Sequence, residues 1–114
     1  MTNENQNQNK LEAIVEHNGD EKYIVVKAGN KKVLVSMPLE YHSEIASEYK
    51  ARVNQPVEIL GGGILTIDKE AKTIKTYGKS GSYGGPNIKD VRAILTANFP
   101  DYKIDAKVTD YIRG

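Results

Sequence analysis

Residues 41–56, YHSEIASEYKARVNQP, decide the class of fold, because here the hydrophobic period changes. Tyr41, Ile45, Tyr49 and Val53 recur every four residues, which predicts one face of a helix that Pro56 closes. On either side the pattern is that of strands. Upstream, Leu11 to Glu16 is short, apolar and β-branched at Ile14 and Val15. Tyr23 to Lys27 follows, then a run that begins at Val33-Leu34-Val35 and ends at Pro38. Asn18-Gly19 and Ala28-Gly29-Asn30 are turn signals between them, so the first third reads as a three-stranded meander. Downstream, Val57 to Leu60 resumes strand character, Gly61-Gly62-Gly63 interrupts it and Ile64 to Ile67 continues it. Glycine inside a strand predicts a bulge or a close approach by other atoms.

Lys72 to Tyr77 is the next strand, and the stretch from Gly78 to Pro86 is rich in glycine and serine. A second helix opens there, with Asn87 as N-cap, Asp90 three residues on, and Ile88, Val91, Ile94 and Leu95 as its apolar face. Phe99-Pro100 stops it, and Tyr102, Ile104, Ala106 and Val108 alternate as a final strand. The order β-β-β-α-β-β-α-β predicts an α+β fold: a mixed, largely antiparallel sheet of about six strands flanked by two helices. Residues 1–10, Asn/Gln-rich and polar, read as a disordered tail before a single domain over 11–114.

Composition excludes several functions. The net charge of +1 comes from interspersed lysine and glutamate, without the basic stripe of a nucleic-acid binder. No apolar run is long enough to span a membrane, and the N-terminus lacks the apolar core of a signal peptide. The absence of cysteine favours a reducing compartment, hence a cytoplasmic location, and removes thiol nucleophiles and thiolate metal sites. The two histidines, His17 and His42, are too far apart in sequence to suggest a metal site, and no cofactor is expected. His17 adjoins the Asn18-Gly19 turn and reads as structural or solvated.

Two features suggest chemistry. The loop Gly78-Lys79-Ser80-Gly81-Ser82-Tyr83-Gly84-Gly85-Pro86 precedes a helix. Its glycines would let backbone N–H groups converge on an anion, Ser80 and Ser82 would add hydroxyls, and Lys79 would add charge. A flexible surface loop would share this composition. A nucleotide-binding loop would need glycine at position 73, which is threonine, so a phosphorylated group without a nucleotide fits better. His42 sits in the first turn of the first helix, beside the apolar stripe. Imidazole titrates near neutral pH, and a helix N-terminus favours its neutral, basic form. A lone histidine at such a place is more often an exposed helix residue. Lys22 opens the second strand and by itself reads as a surface charge.

Taken in order, these pieces resemble the phosphohistidine phosphatase family, also called Janus/Ocnus. Tyr41-His42-Ser43-Glu44-Ile45 resembles its Tyr-His-x-x-Ile segment, and Leu60-Gly61-Gly62-Gly63 its triple-glycine segment. Tyr77 to Gly84 resembles its Tyr-Gly-x-Ser-x-x-Tyr-Gly loop, Phe99-Pro100-Asp101-Tyr102 its Tyr-Pro-Asp-Tyr, and Lys22-Tyr23 its Lys-Tyr at a strand start. The match in order and spacing runs from about residue 11 to the end. Two positions depart: Ile64 after the triple glycine and Leu34, eight residues before His42, stand where a well-known member has arginine.

The resemblance implies a metal-free, monomeric phosphatase that hydrolyses the P–N bond of phosphohistidine, or of phospholysine or phosphoarginine. It implies His42 as the catalytic nucleophile or base and Lys22 as an electrostatic helper. It also implies Ser43, Lys79, Ser80, Gly81 and Ser82 as phosphate-binding residues, and phosphohistidine-containing proteins as partners. The alternative is a non-catalytic module of the Janus type that binds a phosphorylated protein.

Overall fold

The computed structural model describes residues 10–16, 18–39, 41–110 and 112–113, the last pair by backbone alone. The polar tail up to residue 9 and His17 lie outside the described residues, while Lys10 already belongs to the first strand. The described residues form eight strands and two helices: β1 (Lys10–Val15), β2 (Gly19–Ala28), β3 (Lys31–Met37), α1 (His42–Arg52), β4 (Glu58–Asp68), β5 (Thr73–Tyr77), β6 (Lys79–Ser80), α2 (Ile88–Asn98), β7 (Lys103–Ala106) and β8 (Ile112–Arg113). The fold is α+β, as its sequence predicts.

The main sheet has the order β1-β3-β2-β4-β5-β7. β2 has two edges, and both are claimed by antiparallel partners. The tight turn at Gly29-Asn30 folds β3 back on one, and β4 takes the other. β1 is therefore left the outer edge of β3, where it pairs in parallel from Lys10↔Lys31 to Val15↔Ser36. The expected meander is corrected: Asn18-Gly19 connects two strands that are not neighbours. β7 likewise adds in parallel to β5 at the opposite edge.

β2 and β3 are central strands, covered on both faces, and their continuous β-branched runs reflect this. On one face, Ile24, Val26, Val33, Val35 and Met37 pack against Ile45, Ala46 and Tyr49 of α1. On the other, Tyr23, Val25, Leu34, Leu65, Ile67 and Ile74 pack against Val91, Ile94 and Leu95 of α2. Each fully buried aliphatic side chain contributes about 1.5–3 kcal/mol, so the alternation of these strands is what fixes one helix to each face. Asn87 caps α2, its side chain accepting the Lys89 N–H at 2.9 Å. Helix α1 buries His42, Ile45, Ala46 and Tyr49, while Tyr41 is the exposed N-cap. The buried stripe is thus rotated from the expected one, and His42 lies on it rather than beside it.

The glycine run does not interrupt β4. One strand runs through it, with Leu60 as an extra residue between the pairs Val26↔Ile59 and Val25↔Gly61. The final strand is shorter than expected, and residues beyond it reach back to form β8 against β6.

Candidate active site

The site is built around Gly61 to Gly63, because three different groups press on that backbone. A Cβ on Gly61 would stand 2.6 Å from the Pro86 nitrogen and 2.7 Å from the Gly85 carbonyl carbon. A Cβ on Gly62 would stand 2.6 Å from the Tyr23 carbonyl oxygen and 2.8 Å from Cδ2 of His42. At Gly63 the Tyr23 ring and the Tyr77 carbonyl oxygen would both lie at 3.0 Å. The end of the glycine–serine loop and the His42 imidazole therefore rest on adjacent residues of one strand.

His42 is the first residue of α1 and has no exposed surface. Its helix begins where it does because the Tyr41 N–H donates to the Glu44 carboxylate at 2.9 Å, while the Tyr41 carbonyl accepts the Glu44 N–H at 3.0 Å. The imidazole Nε2 lies 2.9 Å from the Gly63 carbonyl oxygen. A carbonyl only accepts, so Nε2 carries the hydrogen that faces it, and Nδ1 is the other nitrogen of the ring.

Lys22 stands opposite Ile64, two residue pairs along from Ile24↔Gly62 and so on the same sheet face. Its ammonium lies 5.9 Å from the centre of the Tyr41 ring, within cation–π range. Lys22 and His42 thus flank the start of α1, with Tyr41 between them in sequence. Of the two positions without arginine, Leu34 is buried in the α2-side core and Ile64 is buried beside Lys22.

The loop is more ordered than its composition suggests. Ser80 is buried, and its hydroxyl oxygen accepts the N–H groups of Ser82 at 3.1 Å and Tyr83 at 3.0 Å. Its carbonyl accepts the Gly84 N–H at 2.9 Å, and the Gly84 carbonyl accepts the Gly62 N–H at 3.0 Å. Tyr83 packs against the α1-side core. Ser80 is thus the hub on which the loop's donors converge, and Gly84 joins the loop to the strand that seats His42. Gly81 and Ser82 are exposed at the tip. Ser43 is exposed on α1, and Lys79 points to Asp110 at 3.7 Å.

The C-terminal segment is the part that sequence reading missed. Thr109 Oγ1 accepts the Gly78 N–H at 2.8 Å, and the Thr76 hydroxyl both donates to and accepts from the Lys107 backbone. Val108 lies where a Cβ on Gly85 would be, at 2.5 Å. With β6 paired to β8, this strap holds the base of the loop. The sequence places Val108 at the end of an alternating strand, and no local signal at Thr109 or Asp110 marks the strap.

Among known proteins, no curated relative matches the chain. A family model, described as the Janus/Ocnus family, matches residues 8–103, which contain the His42 seat, the glycine run and the loop. With that match covering most of its length, the chain belongs to the Janus/Ocnus family.

Proposed function

We propose that this protein is a phosphatase that hydrolyses the P–N bond of phosphohistidine in proteins. One observation carries the reading: Gly62, against which the His42 ring lies, donates its N–H to the Gly84 carbonyl of the Gly78–Pro86 loop, and Tyr83 of that loop packs into the core on the same sheet face as His42. A base and an anion-competent loop thereby share a site. In the reaction, the Gly81 N–H and the Ser82 hydroxyl, at the exposed tip of the loop, face the phosphoryl oxygens, and Lys22 offsets their charge. Nδ1 of His42 takes a proton from a water whose oxygen attacks phosphorus. The P–N bond breaks, its electron pair stays on the leaving imidazole nitrogen, which takes a proton from solvent, and His42 gives up the proton it took to solvent, so that one water is consumed and phosphate is released. The His42 ring is fully buried, so water and a phosphoryl group alike reach it only when the start of α1 moves aside; proton transfer through a water needs the smaller opening. Phospholysine and phosphoarginine offer the same P–N chemistry.

The test is phosphate release from a chemically phosphorylated histidine peptide. His42→Gln keeps an amide donor for the Gly63 carbonyl but has no base, and it should lose at least about 100-fold in rate while remaining folded. Full activity in this folded variant would overturn the reading. A second reading is favoured by the same burial: a module that binds phosphorylated protein without turnover, with His42 as a packed structural residue. Tight binding of the peptide by the wild type with no phosphate release would establish it.

A further inference from the structure

Helix α1 covers only the β2 and β3 side of its sheet face, and a hollow of about 210 Å³ opens beyond its N-terminus. Asp20, Lys22, Pro38, Leu39, Ile64 and Tyr77 line it. Its position is set by register. Ile24↔Gly62 lies under the His42 ring, Lys22↔Ile64 is the next pair on that face, and Asp20↔Thr66 the one after. Each step is about 6.7 Å, the same spacing that separates alternate side chains of an extended peptide. A peptide that presents its phosphorylated residue to His42 and lies along this face places a neighbouring side chain in the hollow.

The hollow is apolar along one wall, from Pro38, Leu39, Ile64 and Tyr77, and charged at its end. Asp20 is exposed, and its carboxylate is held in place by the Thr66 hydroxyl, which donates to Oδ1 at 2.7 Å. Glu21 borders the hollow, but its carboxylate turns to the opposite sheet face, where it accepts from the Ser36 hydroxyl at 2.7 Å, and so adds no charge to it. Among the described residues that line the hollow, the Lys22 ammonium is the cation, and the phosphoryl group draws it toward itself. Leu39 also borders a second hollow that includes Glu44 and Glu48, the latter paired to Arg52. Beyond Thr66, Lys75 faces Asp105, which is also paired with Lys107 at 3.8 Å; the group carries one net positive charge but lies past Asp20, outside the lining of the hollow. With a phosphoryl group bound, the balance around the hollow is negative.

We propose that this hollow is a specificity subsite for a long cationic side chain, lysine or arginine, close in sequence to the phosphorylated histidine. The aliphatic stem lies on Ile64 and Leu39, and the charged end meets Asp20. The proposal rests on the phosphatase reading and adds the class of protein substrate. The test is a set of chemically phosphorylated histidine peptides, identical except for lysine, alanine or glutamate at each of the positions from one to four residues either side. The wild type should release phosphate from the best lysine peptide with kcat/KM about tenfold above its glutamate counterpart, less so in high salt. Asp20→Lys should reverse that order, and Asp20→Asn, which keeps the Thr66 contact, should level it. Equal rates across all peptides would overturn the subsite while leaving the phosphatase reading intact. Release from none of them would overturn both.

Discussion

A methyl group added at Gly62 would meet the Tyr23 carbonyl oxygen at 2.6 Å and Cδ2 of His42 at 2.8 Å. The carbonyl is fixed by the β2–β4 ladder, so the imidazole is the group that has to move, and with it the 2.9 Å contact to Gly63. Gly62→Ala should therefore cost about 1–3 kcal/mol of stability through overpacking. Its loss of phosphate release should be larger than that destabilisation accounts for at temperatures where it is fully folded. Gly84→Ala is the control for backbone strain alone. Gly84 has a φ of +75° with nothing within 4 Å of its Cβ position, so the substitution should cost about 1 kcal/mol. Thermal unfolding and phosphate release, measured on both, separate seat from strain. A fully active Gly62→Ala would show that the ring's seat is unimportant.

Among the elements, the strap from Lys107 to β8 has the most specific consequence. Both core clusters end at Ala106 or before it, so the sheet and helices do not depend on the strap for burial. The loop does, through Thr109 on Gly78, Val108 on Gly85, and β8 on β6. The Lys79–Asp110 pair adds little, since Asp110 is fully exposed. A chain ending after Lys107 should keep its unfolding transition nearly unchanged, because the lost contacts belong to a locally stabilised unit. It should bind a phosphohistidine peptide about tenfold more weakly, through the loop's lost order. Titration of the peptide by calorimetry checks this, and unchanged affinity would remove the strap from the site.

For the molecule as a whole, the buried tyrosines shape the alkaline limit of stability. Burial pushes the Tyr23 phenol up to about 12, with the nearby Thr76 hydroxyl offsetting part of the effect. Thr76 spends its own hydrogen bonds on the Lys107 backbone, and the phenol oxygen has no partner of hydrogen-bonding geometry among the described residues. Tyr49 is pushed up as well, mainly by burial, with Lys31 opposing and Glu12 adding. The unfolded chain releases these protons near pH 10, the folded chain later, so the unfolded state binds fewer protons in between. Stability is therefore intact below about pH 10 and falls as pH rises toward 12, by at most about 1.4 kcal/mol per unit for each such group. Tyr23→Phe should lose little or nothing at pH 7 and should lessen the alkaline decline, as urea denaturation between pH 8 and 11 would show. An unchanged slope would mean that Tyr23 does not hold its proton.

What the sequence by itself determined is local. Strand alternation, the helix stop at Pro56, the Asn87 cap and the apolar face of α2 depend on residues within a turn or two, and these carry the α+β class. The loop was legible as an unusual stretch for the same reason. The tertiary structure alone decided how these parts meet. β1 pairs outside β3 because β2 has no edge left, a competition between strands far apart in the chain. Counting by fours placed Tyr41 on the buried stripe of α1. The sheet beneath takes 42, 45, 46 and 49 instead, a shift of the stripe's centre by about 30° that no local period distinguishes. His42 thereby changed from a residue beside the stripe to a fully buried one. The three glycines were readable as a close approach, but what approaches them, an imidazole on one side and a loop on the other, depends on packing across the sheet.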